Sequence, residues 1–513
     1  MSNSVYRRFP DWYFLLPSVV FLIVIFYKFY LLFPITQFFP FAIGDLTQRL
    51  AQLSFFQEYG FFGSVPNWYD GFTLFRSYPP GWFYFTSIFS FFTSNLLVSV
   101  YLSLVFIYIL SLVAITIFGN SLRLSLTQRV AFFSFFFGSP LLIDQFFNIG
   151  KFPEALGWFL LLFLFFFVYY HKDKPISKLS FMVIIPYAAL ILTHPYETII
   201  GSFLFVPLFI LKPWKERAFL GFIILISFLL SSFWFVPFLQ SNQDSFSCSF
   251  VCSDLSRYID SPAVKTHSVN PLSVLLTLDS LVSFNTILLV SFFVISLFSY
   301  LSSSDKGRFL LFYFPFFVLG FLLISRLLIF VPYFNKVPVN PYNGLFLLLI
   351  IALLVTSKFQ VDLHKFFFIG IFVFSILSAV VAFTFLNNPD VSYLPYEQEF
   401  VDIATGLSGT YLIFPHNSGN INSLIFDSYI GFSRYDLTTP SGGFSPAASE
   451  ELLVRFDVLR QELESGSCTE FASFVDEEGI VSVISFNEYC PLISSCGFSL
   501  EGETKTFCFF STP

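Results

Sequence analysis

The run from Asn95 to Phe118, NLLVSVYLSLVFIYILSLVAITIF, holds 24 residues without a single charged side chain. A helix needs about 20 apolar residues to cross the hydrocarbon core of a bilayer, so this run predicts a transmembrane helix. Similar runs recur along the chain between short loops that carry Lys or Arg. They predict eleven spans, near residues 12–33, 95–118, 130–146, 154–170, 179–194, 197–212, 217–238, 275–300, 308–330, 343–357 and 365–387. The sequence therefore indicates a polytopic α-helical membrane protein.

The composition divides the chain into an apolar body and an acidic tail. Apolar residues make up 56% of the 513 and charged residues only 12%, about half the charged share of a soluble globular protein. Residues 388–513 carry 18 acidic and 4 basic side chains, whereas residues 1–387 carry 15 acidic and 22 basic ones. We therefore expect a transmembrane domain, 1–387, and an acidic extracytoplasmic domain, 388–513, long enough to bury its own core. This charge distribution argues against a nucleic-acid partner.

Basic residues predict the orientation in the membrane. They mark alternate loops, at Arg7 and Arg8, Arg123 and Arg129, residues 171–178, Lys212 to Arg217, Lys306 and Arg308, and Lys358 and Lys365. The positive-inside rule assigns these loops to the cytoplasm. We thus expect a cytoplasmic N-terminus, with the first span as an uncleaved anchor, and a C-terminal domain outside the cytoplasm.

All six cysteines fall in predicted outer segments, which agrees with this orientation because disulfides persist outside the cytosol. They are Cys248 and Cys252 in the loop after the seventh span, and Cys468, Cys490, Cys496 and Cys508 in the tail. We expect one bridge in the loop and two in the tail, with the tail pairing left open by the sequence. A metal site is the less favoured alternative, since no His flanks these cysteines.

The tail alternates strand-like and helix-like segments. Tyr411 to Phe414 and Ile480 to Phe486 are rich in β-branched and aromatic residues, whereas Glu450 to Glu464 and Glu470 to Glu478 are typical of helices. The pattern predicts a small α/β domain.

The first outer loop, residues 34–80, is longer and more polar than a helix connection requires, and long loops of this kind are usually functional. Within it, Leu46, Leu50 and Leu53 recur at helical spacing. Polar residues cluster on the other face, which predicts an amphipathic helix lying along the outer membrane surface.

Ionisable side chains near membrane depth are costly to bury, so they are candidates for function. Asp45 lies just outside the first span, where its carboxylate would take a proton from an acceptor hydroxyl. The alternative is a helix N-cap, aided by the helix dipole and by Arg49 one turn on. Asp70 and Arg76, in the same loop, are candidates for substrate binding, and for Asp70 the residue types favour a turn.

Further candidates occupy the predicted outer turns. Lys151 would pair with a phosphate and Glu154 would bind a sugar or a metal, although interfacial snorkelling is the favoured alternative for Lys151. His194 with Glu197 would form a proton relay or part of a metal site. The favoured alternative is a structural His at a proline turn. Arg326, near the outer end of the ninth span, would hold a lipid phosphate bidentately.

Several motifs together point to a known superfamily. They are Asp45 before a surface helix, Trp68-Tyr69-Asp70-Gly71-Phe72, Tyr78-Pro79-Pro80, Gly150-Lys151-Phe152-Pro153-Glu154-Ala155-Leu156 and Leu192-Thr193-His194-Pro195. This order resembles the GT-C glycosyltransferases, and more closely the microbial multi-pass membrane proteins labelled 6-pyruvoyl-tetrahydropterin synthase-related. The tail, with a helix followed by Glu478-Gly479-Ile480-Val481, is similar to the outer domain of that group.

The resemblance implies a polyprenyl- or dolichyl-phosphate sugar donor and an acidic catalytic residue in the first outer loop. Carried over by position, Asp45 is the base and Glu154 matches the second-loop acidic residue. Where relatives often have a His three residues after the Asp, this chain has Gln48. The departure weakens the case for metal binding at that position. We therefore expect no metal bound by these side chains and no required cofactor. Use of a divalent cation, Mg²⁺ or Mn²⁺, is left open as the alternative.

The function expected from these observations is sugar transfer to a glycan, lipid or protein acceptor on the outer face, with membrane lipids as further partners. The chain has no phosphate-binding Gly-rich loop, which agrees with a lipid-linked donor. One alternative is a lipid or polysaccharide transporter, in which Lys28, Glu154 and Arg326 would line a path across the membrane. Another is a structural membrane protein that presents its outer domain.

Overall fold

The computed structural model describes residues 12–76, 78–121, 124–245, 291–297, 300–301, 305–324, 346, 349–352, 392–416, 421–434, 436–443, 448 and 450–512. Helices dominate the body of the protein. They are α1 Trp12–Leu32, α2 Gly44–Tyr59, α3 Gly81–Ser90, α4 Leu96–Ser121, α5 Leu126–Phe137, α6 Pro140–Ile143, α7 Phe152–His171, α8 Ile184–Ile191, α9 Pro195–Leu204, α10 Val206–Leu211, α11 Trp214–Ser245 and α12 Lys306–Ile324. Short 3₁₀ helices at Phe33–Thr36 and Lys178–Val183 and a π-helical turn at Asp144–Asn148 complete this part.

Four helices in the described residues are long and apolar enough to cross a membrane. They are Phe14–Thr36, Leu96–Asn120, Phe152–His171 and Trp214–Gln240, and the bent pair Leu126–Phe137 and Pro140–Asn148 adds a fifth if it is one span. Shorter apolar helices, Ser180–Ile191 and Pro195–Leu211, lie where two further spans were expected. A polytopic helical membrane fold is thus confirmed. The count of eleven stays a prediction, because the expected spans at 275–300, 343–357 and 365–387 fall wholly or mostly outside the described residues.

The bend in the third expected span has a local cause. Helix α5 ends before Gly138, and the Ser139 hydroxyl then caps the next helix by accepting the Leu142 N–H at 3.4 Å. Pro140 occupies the first turn of α6, where its lack of an N–H costs nothing. The two segments therefore meet at 52° instead of forming one straight helix.

The tail contains a four-stranded sheet within its described residues. The strands are β3 Tyr411–Phe414, β4 Ser482–Phe486, β5 Ser499–Glu503 and β6 Phe507–Ser511, in the order β3-β4-β6-β5. β3 and β4 are parallel, and the other pairs are antiparallel. The helices are α13 Pro395–Ala404, α14 Ile421–Ser433, α15 Glu450–Glu464, α16 Thr469–Glu477 and α17 Cys490–Ser495, and a short hairpin in the first loop pairs β1 Ser64–Val65 with β2 Phe72–Thr73.

The two faces of the tail sheet pack into different cores. Tyr411 and Ile413 belong to the large core that continues into the membrane body, whereas Leu412 and Phe414 belong to a core among the tail helices. This alternation is the period of two that a strand imposes on its side chains. Strand β3 is therefore covered on both sides.

Two disulfides tie the tail together, Cys468–Cys496 and Cys490–Cys508. The expectation of two tail bridges is thus confirmed, and the pairing that the sequence left open is given. Cys248 and Cys252, with the bridge expected in their loop, lie outside the described residues.

Helix α2 forms as expected, but its apolar face does not rest on lipid. Leu46, Leu50 and Leu53 have no exposed surface. They share a core with Phe426 and Ile430 of α14, against which α2 packs. The apolar face is therefore covered by the tail instead of lipid, and the position of α2 along the outer membrane surface stays a prediction.

Candidate active site

The starts of α2 and α7 are held together by a backbone hydrogen bond and a glycine. The Asp45 N–H donates to the Ile149 carbonyl at 3.0 Å. Gly150 has a φ of +78°, and a Cβ there would lie 2.5 Å from Ile43 Cγ2 and 2.7 Å from Leu46 Cβ. Only glycine fits this conformation and this spacing without strain. Asp45 and Lys151 are thus brought to one place from two distant segments.

A second junction brings α3 against the turn that precedes α9. The Gly81 N–H donates to the Leu192 carbonyl at 2.6 Å. A Cβ on Gly81 would lie 2.6 Å from Thr193 Oγ1, so the two backbones touch. Helices α2, α3, α7 and α9 all begin in this region, and helix N-termini favour negatively charged groups.

A chain of charged side chains links α7 to α9. Lys151 Nζ lies 3.2 Å from Glu154 Oε1. His194 Nε2 lies 3.8 Å from the same oxygen, and His194 Nδ1 contacts Glu197 Oε2. Glu154 is therefore held between two groups that carry positive charge when protonated.

Arg49 and Tyr78 extend this arrangement toward α2. The guanidinium carbon of Arg49 lies 3.5 Å from the centre of the Tyr78 ring, and Arg49 donates to Gln52 Oε1 at 2.9 Å. The Tyr78 and His194 ring centres are 6.3 Å apart. Burial raises the pKa of Tyr78 well above its usual range, with Glu154, Asp45 and Glu197 adding to this rise and Arg49 opposing it. Tyr78 is thus a neutral hydroxyl among charges.

Asp45 differs from its neighbours because its carboxylate has no partner among the residues that the structure describes. It is half-buried in the first turn of α2, and the N-cap of that helix is Ile43, with no side-chain cap. Across the described residues the Asp45 carboxylate makes no hydrogen bond or ion pair. The N-cap alternative for Asp45 is therefore wrong, since the helix begins one residue earlier and Ile43 is its N-cap.

We call these groups the outer cluster, after the side of the membrane that the sequence predicts for them. Its members are Asp45, Arg49, Tyr78, Lys151, Glu154, His194 and Glu197. Four of them were candidates from the sequence. Arg49 was considered only as a support for Asp45, Tyr78 only as part of a motif, and Glu197 only beside His194. The four-residue spacing from Asp45 to Arg49, which places both on one helix face, was the available signal for Arg49.

The remaining candidates lie elsewhere. Asp70 is exposed in a left-handed turn with φ +56°, closed by the Gly71 N–H donating to the Trp68 carbonyl at 2.9 Å. This confirms the turn. Burial raises the pKa of Glu478 in the tail, and the Asp70 carboxyl beside it raises that pKa further. Arg76 is exposed, and Arg326 lies outside the described residues.

Metal binding was also considered for these residues. Among the residues that the structure describes, no three His, Cys, Asp or Glu side chains are grouped so as to hold a metal ion. A need for Mg²⁺ or Mn²⁺ stays a prediction and enters no step below.

Solved structures with a similar fold include the arabinofuranosyltransferase AftD from Mycobacteria. It has a TM-score of 0.60 at 15% sequence identity, over 99% of this chain and 40% of AftD. A mutant AftD gives 0.56 at 14% identity, over 96% of this chain and 41% of AftD. ArnT from Cupriavidus metallidurans aligns over 96% of this chain and 97% of ArnT at 12% identity, but its TM-score of 0.44 is too low to establish a shared fold.

No protein-family model matches the sequence, and no curated protein matches it either. The chain spans about two fifths of the length of AftD. Its fold is similar to that of the arabinofuranosyltransferase AftD, and membership of the GT-C superfamily stays a prediction at this point. The narrower likeness to the 6-pyruvoyl-tetrahydropterin synthase-related group stays a prediction.

Proposed function

We propose that this protein is an integral membrane glycosyltransferase that moves a sugar from a polyprenyl- or dolichyl-phosphate donor to a hydroxyl or amide acceptor. The acceptor belongs to a glycan, lipid or protein on the outer face of the membrane. The observation that carries the proposal is an Asp45 carboxylate that has no hydrogen bond or ion pair within the described residues, at the start of α2, which is bonded to the turn just before Lys151, in a chain whose fold is similar to AftD.

Asp45 is the proposed general base. Its carboxylate takes the proton from the acceptor as the acceptor oxygen or nitrogen forms a bond to the anomeric carbon of the sugar. The bond between that carbon and the phosphate oxygen breaks, and its electron pair leaves with the lipid phosphate. A single displacement of this kind inverts the configuration at the anomeric carbon.

The departing phosphate is proposed to bind the cationic groups of the outer cluster. Lys151 supplies a point charge and Arg49 a planar set of donors, while the helix N-termini add partial positive charge. Stabilising charge that develops in the transition state is commonly worth about 3 kcal/mol for each donor. Glu154 keeps Lys151 and His194 oriented toward this region through its contacts of 3.2 and 3.8 Å.

The arrangement of charges favours the enzyme over a transporter. Glu154 is clustered with Lys151, His194 and Glu197 at the starts of helices. Lys28, within α1, is outside this cluster and interacts electrostatically with Asp144, which in turn interacts with Lys151. A path across the membrane would need charges spread along its length, whereas group transfer needs them together.

The proposal includes an orientation. The outer cluster and the disulfide-bonded tail lie outside the cytoplasm, and the N-terminus lies inside. Disulfides in the tail support this, because they persist in oxidising compartments.

Replacing Asp45 by Asn tests the proposed base. We expect the rate of sugar transfer to fall by about 10² to 10⁴-fold, because an amide accepts no proton at neutral pH. The measurement is transfer of labelled sugar by the purified protein, with donor binding as a second readout that should persist. Glu58→Gln, an exposed substitution in the last turn of the same helix, is the control. Full activity in the Asp45 variant would refute the assignment.

A further inference from the structure

His194 lies between two carboxylates. One ring nitrogen contacts Glu197, and the other lies near Glu154. His194 Nδ1 contacts Glu197 Oε2, while Nε2 lies 3.8 Å from Glu154 Oε1. The Glu197 side chain has no exposed surface, whereas the His194 side chain is 16% exposed and that of Lys151 is 12% exposed. A ligand at the surface of the outer cluster thus reaches His194 and Lys151 but not Glu197.

The neighbouring helix leaves room for this carboxylate. A Cβ added at Gly157 of α7 would lie 3.2 Å from Cγ, Cδ and Oε2 of Glu197. Any larger residue would push the carboxylate away from its place. The surface of α7 is therefore shaped around the Glu197 side chain.

The start of α9 sets the spacing of the pair. His194 is the N-cap with an extended backbone, Pro195 opens the first turn, and Glu197 lies in that turn. Proline fits the first helical position because its φ is already helical and its missing N–H is not needed. The three-residue separation places His194 and Glu197 on the same side of the helix start.

We propose that Glu197 is a positioning residue that fixes the ring orientation and the positive charge of His194 at the place where the lipid phosphate departs. The role of His194 toward phosphate rests on the proposed function. A buried carboxylate on the second ring nitrogen commonly orients a functional histidine in this way. Glu197 then acts only through His194, since it does not reach the surface.

The charges around the ring agree with this role. Burial lowers the pKa of His194, but the Glu197 carboxylate, its hydrogen bond and the Glu154 carboxylate outweigh burial and raise that pKa above its usual value, with Lys151 opposing them. Tyr78, whose ring also faces His194, is neutral. His194 is thus positively charged up to a higher pH than a free histidine.

The test compares wild type with Glu197→Gln, which keeps the shape and removes the charge. We expect the pKa of His194 to fall by about 1 or more, because an opposite charge in contact is lost. Histidine-labelled full-length protein in detergent, with five His in all, gives this pKa by NMR titration, and His194→Asn identifies the signal. On the basic side of the pH profile, the rate of sugar transfer should begin to fall at a correspondingly lower pH.

Glu216→Gln is the matched control, since it removes a carboxylate from the first turn of another helix. It should leave the pKa of His194 and the pH profile unchanged. Glu197→Asp should restore part of the wild-type profile by returning the charge, which a loss of packing would not do.

Each outcome decides the inference. An unchanged His194 pKa in Glu197→Gln overturns it, and so does a lowered pKa with an unmoved pH profile. A lowered pKa with a matching displacement of the profile supports it. If wild type transfers no sugar yet the His194 pKa falls in the variant, the orientation and charge of His194 still depend on Glu197, and it is the proposed function that fails.

Discussion

Asp45 illustrates how much a single residue depends on its surroundings. From the sequence, Asp45 was either a base or an N-cap. The structure excludes the N-cap, because Ile43 holds that position and the Asp45 carboxylate has no partner in the described residues. The Asp45 backbone N–H instead donates to Ile149. Its reactivity also depends on Gly150, which no pattern of charges marks as important. Gly150 permits α2 to begin beside α7.

Replacing Gly150 by Ala tests this dependence. The positive φ alone costs alanine about 1 to 2 kcal/mol, and the new methyl group would meet Ile43 and Leu46 at contact distances no real Cβ tolerates. We expect a lower thermal unfolding temperature and at least a tenfold slower transfer, because Asp45 moves relative to Lys151.

Gly221→Ala provides the comparison for that experiment. It lies within α11, and a Cβ there meets nothing within 4 Å. Alanine is favoured over glycine in a helix by about 1 kcal/mol, so this variant should be as stable as wild type or more so. Equal behaviour of the two variants would contradict the account of Gly150.

At the scale of elements, the first loop and the tail are interlocked. The Thr439 N–H donates to the Asn67 carbonyl at 2.9 Å, and the Tyr69 N–H donates to the Thr439 carbonyl at 3.1 Å. The Asn67 amide donates to the Leu437 carbonyl at 2.9 Å. Trp68, fully buried, fills the space that Gly431 and Gly442 leave open. The tail thus fixes the loop that carries Asp45.

Replacing Trp68 by Ala tests this interlock. Removing so large a buried side chain typically costs about 3 to 5 kcal/mol. We expect a lower unfolding temperature and protease cleavage of the first loop at lower protease concentration. Trp214→Ala, at an exposed position, should change stability by about 0.5 kcal/mol or less. A Trp68 variant as stable and as protease-resistant as the Trp214 variant would mean that the tail does not hold the loop.

Elements with a strong local pattern were predictable from the sequence. The strands at 411–414 and 482–486 and the helix Glu450–Glu464 lie where apolar runs and helical spacing indicated them. Strand β5 was not predicted, since it is an edge strand with exposed side chains and no apolar alternation. The covering of α2 by α14 was also missed, because an amphipathic helix has the same pattern whether lipid or protein covers its apolar face.

At the scale of the whole molecule, the charge difference between body and tail indicated two regions but not their contact. The large core runs from the membrane helices through the first loop into the tail sheet. The outer cluster comprises side chains from the starts of α2, α7 and α9 and from the loop before α3. Such long-range packing leaves no local signal. The candidates Asp45, Lys151, Glu154 and His194 were therefore predicted one by one and not as parts of one site.

The most direct measurement of the central claim follows the donor itself. Purified protein is incubated with a panel of radiolabelled polyprenyl-phosphate sugars and candidate acceptors, and released lipid phosphate and labelled acceptor are both counted. The account predicts that one donor releases lipid phosphate in step with acceptor labelling, and that Asp45→Asn slows both by about 10² to 10⁴-fold. Donor lipid that binds, crosses the membrane of proteoliposomes and is recovered with its sugar intact would contradict the account and indicate a transporter.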